Sequence, residues 1–304
     1  MNLVLVHGRA QEGKDHVALK KQWLDALAYG MSRANVSLPP GTTIEFPYYG
    51  DALANMVAQL STPLGMDINA KGPNPDTEQD LRGEIILEMA AASGITDDDV
   101  RKELGGQPTQ KGPENWEWVQ AVLRAMDRVP GINSRFIDLV TRDVYVYLQY
   151  NAVRMTIDGI VNHAIDDDPC VVVAHSLGTV VTYNVLSRRN AVPAIPRLVT
   201  VGSPLGINGI KRKLDTPLRH PACVLNWFNA YDDRDVVALT ALDAQNFGVT
   251  PPIENKSDVQ NFTDNRHGIE GYLSDPVVAK KIVELLSCFF SCLRRRLCSC
   301  GPWL

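Results

Sequence analysis

Cys170-Val171-Val172-Val173-Ala174 is a short run of apolar, mostly β-branched residues that leads directly into His175-Ser176-Leu177-Gly178-Thr179, the start of a helical stretch reaching about Arg189. An apolar run with no polar alternation is the mark of a strand buried on both faces. A helix leaving such a strand without a spacer restricts the chain to layered α/β architectures, in which helices cover a largely parallel sheet. The opening residues repeat the pattern. Asn2 to Val6 reads as a buried strand ending at His7-Gly8, followed by a helix from about Asp15 to Arg33 with Val17, Leu24, Leu27 and Ala28 near one face, and a second strand at Thr43 to Phe46. Further strands are expected at Arg197 to Val201 and Cys223 to Phe228, and a last helix from Asp275 to about Leu286 carries Val278, Ile282 and Leu285 on one side. The expected fold is α/β, a doubly wound three-layer sandwich with a mostly parallel central sheet. No internal repeat is visible.

Residues 51 to about 135 interrupt this rhythm with Gly/Pro-rich loops (61–76 and 105–113) and three expected helices. The first starts near Asp76 and stops at Gly94, with Leu81, Ile85 and Met89 at i, i+4 and i+8. The second runs from Thr96 to Leu104 with three aspartates in its first turn, where the helix dipole favours them. The third carries Trp116, Val119, Val122, Leu123 and Met126. The block reads as a helical insertion, a candidate cap, within one domain spanning 1–286. Two helical pieces from Ser134 to Ile165 follow it, with Arg142, Asp143, Tyr147, Asn151 and Arg154 as polar members.

Of the 304 residues 45% are hydrophobic and the net charge is −5, so nucleic acid is not an expected partner. Asn2 to Val6 is too short and lacks the basic flank of a secretory signal. The longest apolar stretch, Leu285 to Leu293, falls well short of the ~20 residues a membrane-spanning helix needs. A cytoplasmic protein is expected. Four of the six cysteines (Cys288, Cys292, Cys298, Cys300) crowd into residues 287–304 beside Arg294, Arg295 and Arg296. Zinc, disulfides and membrane attachment are the possible readings of that tail. The Cys-x3-Cys and Cys-x-Cys spacings match no common zinc finger, while apolar residues with cysteines and arginines suit thioacylation or contact with an anionic membrane.

Two motifs compete for the chemistry. Gly8-Arg9-Ala10-Gln11-Glu12-Gly13-Lys14-Asp15 has P-loop spacing between a strand and a helix, but Asp15 stands where a magnesium-binding Ser or Thr belongs. A nucleotide site is therefore a minor alternative. Ser176 lies at a sharp strand-to-helix turn, a nucleophile elbow that exposes its hydroxyl at the carboxyl edge of the sheet and brings the next backbone N–H near a reacting carbonyl. Gly178 permits close helix–strand packing, and Ala174 replaces the glycine that usually opens the motif.

A serine needs a base, and the base an orienting carboxylate. Only His220 and His267 follow Ser176. His220 precedes a strand, at what should be the opposite end of the sheet, whereas His267 lies in a loop before the final helix and is the expected base. In the loop after Phe228, Asp235 precedes the small apolar pair Val236-Val237 and is favoured as the acid, with Asp232 its rival. No cofactor is required, and the remaining histidines lack metal-ligand spacing.

With Ser176, Asp235 and His267 in this order, the chain resembles the α/β-hydrolase superfamily, particularly lipase- and esterase-like members, over about residues 2–50 and 136–286. The resemblance implies an oxyanion hole made by the backbone N–H of Leu177 together with that of Gly8 or Arg9 in the His7-Gly8-Arg9 turn. It also implies that Gly202-Ser203-Pro204 lines the pocket. His7, Ser203, Pro204, Tyr147 and Trp116 are the expected substrate contacts. The expected activity is hydrolysis of a small-molecule or lipid ester. A catalytically weak receptor on the same fold and a protein-interaction effector domain are the alternatives.

Overall fold

Six parallel strands form one sheet in the order β2-β1-β3-β4-β5-β6. They are β1 Asn2–Val6, β2 Thr43–Glu45, β3 Cys170–His175, β4 Arg197–Val201, β5 Trp227–Ala230 and β6 Glu254–Lys256. The computed structural model describes residues 1–9, 13–60, 75–105, 107, 109–165, 168–189 and 195–297, with backbone alone for 75–77 and 287–297. Register places Val6 beside Ala174 and His175 beside Val201, so the carboxyl ends of β1, β3 and β4 lie together at one edge.

Eleven α-helices lie among the described residues: α1 His16–Ala34, α2 Gly50–Leu60, α3 Pro75–Ala92, α4 Asp97–Glu103, α5 Trp116–Met126, α6 Ser134–Gln149, α7 Asn151–Ala164, α8 Leu177–Ser187, α9 Asn208–Lys211, α10 Ile269–Leu273 and α11 Pro276–Leu297. Alternating strand residues face opposite layers, as the two-residue repeat of a strand demands. Leu3, Leu5, Val171, Val173 and Val199 pack against Leu19, Trp23 and Leu27 of α1 and Val278, Ile282 and Leu286 of α11. Val4, Val6, Val172 and Ala174 face the other layer, with Val180 of α8, Ile157 of α7 and Tyr145 of α6. The result is a three-layer α/β sandwich. None of its helices, among the described residues, is long and apolar enough to cross a membrane.

Several expectations are corrected. The strand placed at Cys223 to Phe228 begins only at Trp227: Val224 N–H bonds back to the Pro221 carbonyl in a turn and Leu225 is half exposed, so the sheet is joined later and runs to Ala230. Strand β6 has no apolar signature because Glu254-Asn255-Lys256 is an edge strand with little buried surface. The insertion holds four helices among the described residues rather than three. Helix α2 carries Leu53, Met56, Val57 and Leu60 at helical spacing, directly after the Pro47 to Gly50 turn. Of the residues read as loops, 61–74, Gly106 and Pro108 lie outside the described residues.

The insertion is continuous with the core. Trp118, Val119, Val122 and Met126 are buried in the same cluster as Val172 and Ala174 of the sheet, so these side chains are internal packing rather than the roof of a pocket. Local signals set its helix ends: Thr96 and Asp99 form a reciprocal capping box at α4. Replacing Met126 by Ala should therefore destabilise the whole molecule, by about 2–5 kcal/mol. Chemical denaturation should remain a single transition seen alike by tryptophan fluorescence and circular dichroism; separate transitions would mean that the insertion folds as its own unit.

Candidate functional site

The site grows from the turn between β3 and α8. Ser176 has φ 55° and ψ −129°, a positive-φ backbone that non-glycine residues rarely adopt. The strain is held by packing. Helix α8 sits so close to the end of β1 that a Cβ on Gly178 would fall 2.4 Å from the His7 carbonyl oxygen and 2.7 Å from that of Val6. Behind the turn the Thr179 hydroxyl donates to the Ser176 carbonyl at 2.7 Å and lies 2.8 Å from the Ser203 hydroxyl, which in turn accepts the Leu205 N–H. Ser203 and Pro204 thus buttress the turn from inside, and neither lines the cavity at Ser176.

His267 and Asp235 meet beside this serine. His267 Nδ1 is 2.7 Å from Asp235 Oδ2, both side chains being buried, and Asp235 Oδ1 accepts the Val237 N–H at 2.9 Å. The neighbouring Asp232, equally buried, is committed elsewhere. Its carboxylate accepts the backbone N–H groups of Arg234 and Asn261, each at 2.8 Å, and the Arg234 guanidinium at 3.2 Å. Asp232 therefore organises its own loop, and Asp235 reaches the imidazole. With Nδ1–H donated to a carboxylate, His267 Nε2 is left as the acceptor. That nitrogen and Ser176 Oγ are both buried without a hydrogen-bond partner, and both residues line one cavity of about 210 Å³ with Arg9, Lys14, Trp23 and Phe136. Buried polar atoms are rarely left unpaired. Ser176 Oγ and His267 Nε2 do not bond to each other, so hydroxyl and imidazole share the cavity while only the imidazole–carboxylate link is made.

His175 and Tyr272 hold the base and its acid in place. His175 Nε2 faces the His267 carbonyl at 2.8 Å; a carbonyl only accepts, so Nε2 carries the proton. Burial, followed by the neighbouring His267, pushes His175 well below the usual imidazole range, so it stays neutral. The Tyr272 hydroxyl donates to Asp235 Oδ2 at 2.5 Å. Gly202, at φ 57°, leaves room for this cluster, since a Cβ there would meet Tyr272, His175 and His267 at 3.0 to 3.2 Å. Adjacency to Ser176 marks His175 in the sequence, whereas nothing marks Tyr272.

The first turn contributes backbone. A Cβ on Gly8 would lie 2.7 Å from Ser176 Cβ, so the His7-Gly8-Arg9 backbone runs beside the serine. The Arg9 side chain is held by a buried ion pair, Nε to Asp143 Oδ2 at 2.7 Å. Arg9 also lines a second cavity of about 410 Å³, walled by Leu53, Ala54 and Val57 of α2 and by Leu139 and Arg142 of α6. His7, expected as a substrate contact, lines neither cavity. It is fully buried and stacked on Tyr49 at 4.1 Å; its Nε2 accepts the Tyr49 N–H at 3.0 Å and its Nδ1–H donates to the Gly8 carbonyl at 2.6 Å.

Tyr147 and Trp116, also expected as substrate contacts, line neither cavity. The Tyr147 hydroxyl donates to Asp158 at 2.6 Å and accepts from Asn184 at 3.1 Å, tying α6 to α7 and α8 away from the cavity. Trp116 is half-buried under the Arg82 guanidinium, 5.2 Å from its ring. His220 packs against Trp227 at the start of β5, the opposite end of the sheet from Ser176. The phosphate-loop spacing is used structurally: Asp15 caps α1 through the Val17 N–H, and the Gly13 N–H donates to Asp51, while residues 10–12 lie outside the described residues. The tail cysteines have no described side chains. No group of three or more metal-binding side chains occurs among the described residues.

No protein-family model, curated protein or solved structure matches this chain. What stands is an α/β protein whose six-stranded parallel sheet carries, at its carboxyl edge, a strained serine that lines one cavity with an imidazole bonded to a carboxylate.

Burial lowers His7 from 6.5 to about 4. The folded state thus refuses a proton that the unfolded chain accepts, so its contribution is fully present above pH 6.5 and is lost as pH falls towards 4. At 1.36 kcal/mol per unit, that loss is about 3 kcal/mol. Urea unfolding across this window should show the decline, and His7→Asn should show a shallower one from a lower neutral-pH stability. Equal acid declines in both proteins would contradict the assignment.

Proposed function

We propose that the protein is a serine-dependent carboxylic ester hydrolase of the α/β-hydrolase type. The observation that carries the reading is the pairing of two unsatisfied buried atoms, Ser176 Oγ and His267 Nε2, on one cavity, with Nδ1 of the same imidazole on Asp235. Fold likeness alone would not carry it, because layered α/β folds host many activities.

In this mechanism His267 takes the Ser176 proton as the hydroxyl attacks the ester carbonyl, and Asp235 stabilises the imidazolium. The N–H of Leu177 and that of Gly8 or Arg9 hold the oxyanion. His267 then protonates the leaving alcohol, and water, deprotonated by the same imidazole, releases the acid. The neighbouring cavity of about 410 Å³, which shares Arg9 as a wall residue with the cavity at Ser176, is roomy enough for the acyl part of a small-molecule or lipid ester. Its wall on α2 is apolar, which suits an aliphatic chain.

Turnover of p-nitrophenyl acetate tests the reading. Ser176→Ala should abolish it, and Asp235→Asn should lower kcat by about 10⁴ by disturbing the imidazole tautomer. Asp232→Asn should act mainly through stability. Turnover that survives Ser176→Ala in a clean preparation refutes the proposal, and stoichiometric acylation without turnover would instead favour a receptor on this fold.

A further inference from the structure

The carboxylate behind the base is held by more than the base. Asp235 Oδ2 receives two donors, His267 Nδ1–H at 2.7 Å and the Tyr272 hydroxyl at 2.5 Å, while Oδ1 receives the Val237 N–H. The Tyr272 oxygen itself accepts the backbone N–H of Asp232 at 3.4 Å. It is thus a relay between the loop that Asp232 organises and the acid at that loop's end. Tyr272 lies on α10, five residues after His267, and its ring sits 6.0 Å from that of His175, the residue that holds the His267 carbonyl. Tyr272 thus bonds the acid directly and has its ring near the histidine that holds the base.

We infer that Tyr272 is a positioning residue that sets both the orientation of Asp235 and the share of its charge felt by His267, an inference that rests on the hydrolase reading. Two donors on one oxygen divide its negative charge. An imidazolium formed during proton transfer is stabilised less by such an oxygen than by one left to the imidazole alone. The phenol keeps donating because burial, followed by the Asp235 charge, holds it well above the usual tyrosine range. The other titratable or charged groups facing His267 are His175 and, around the cavity, Arg9, Lys14 and Glu270. Asp232 stands behind the phenol, already bound to Arg234 and Asn261.

The pH dependence of kcat/KM for p-nitrophenyl acetate tests this directly. Tyr272→Phe keeps the ring and removes the donor. Its acid limb should move up by about half a pH unit or more, and its plateau kcat should fall about 10-fold at unchanged KM as the carboxylate loses its fixed orientation. A fluorinated tyrosine placed at position 272 keeps the shape and is the stronger donor, so it should move the limb down; it also serves if Tyr272→Phe folds poorly. Limbs that stay put in both variants, or move the same way, overturn the role even if the rate falls, because a purely packing role would lower rate or stability without opposite shifts. A wild-type protein with no ester turnover would instead refute the hydrolase reading itself.

Discussion

The close approach of α8 to the end of β1 is the constraint on which the site depends. It requires glycine at position 178, because the His7 and Val6 carbonyls occupy the space a side chain would take. With the helix held there, the chain can leave β3 only through a sharp turn, and Ser176 takes up the strain at φ 55°. Strain of this kind costs of order 1–3 kcal/mol and persists only where its surroundings over-determine it. Here the surroundings are a fully buried strand on one side and the Thr179–Ser203 hydroxyl pair on the other. The same approach brings the Gly8 backbone alongside the serine, so one packing decision places both the hydroxyl and the backbone proposed to receive the oxyanion.

Around that turn the polar groups divide into those that are satisfied and those that are not. Asp232, Asp235, His175, Tyr272 and His7 all have hydrogen-bond partners, and each partner belongs to a loop that must be ordered for the site to exist. Ser176 Oγ and His267 Nε2, with Trp23 Nε1 on the wall of the same cavity, are exceptions. Leaving a buried polar atom unpaired costs about 1–3 kcal/mol, which a rigid, satisfied periphery can bear. The acid sensitivity of His7 and the tuning role of Tyr272 both follow from this division, since each acts on the periphery rather than on the reacting atoms.

Much of this is legible in the sequence where the physics is local. Continuous apolar runs mark β1, β3 and β4 because strands buried on both faces need them, and His-Ser-Leu-Gly after such a run marks the turn. Asp235 is separable from Asp232 by the Val-Val pair that follows it. Long-range satisfaction is what the sequence hides. Nothing around Tyr272 shows that its hydroxyl meets a carboxylate 37 residues earlier in the chain, and nothing around Asp143 shows its ion pair with Arg9. His7, Tyr147 and Trp116 look available as polar or aromatic residues near the right elements, yet each is used in packing. Strand β6 is missed because an exposed edge strand has no apolar face to reveal it.

The proposed mechanism requires the His267–Asp235 pair to activate Ser176. Mass mapping of a fluorophosphonate adduct is the direct test, because such a probe reacts fastest with a serine whose proton a base removes. A single adduct on Ser176 is expected, formed by the wild-type protein and lost in His267→Ala although that variant stays folded. An adduct elsewhere, none at all, or labelling of Ser176 that survives His267→Ala would contradict it.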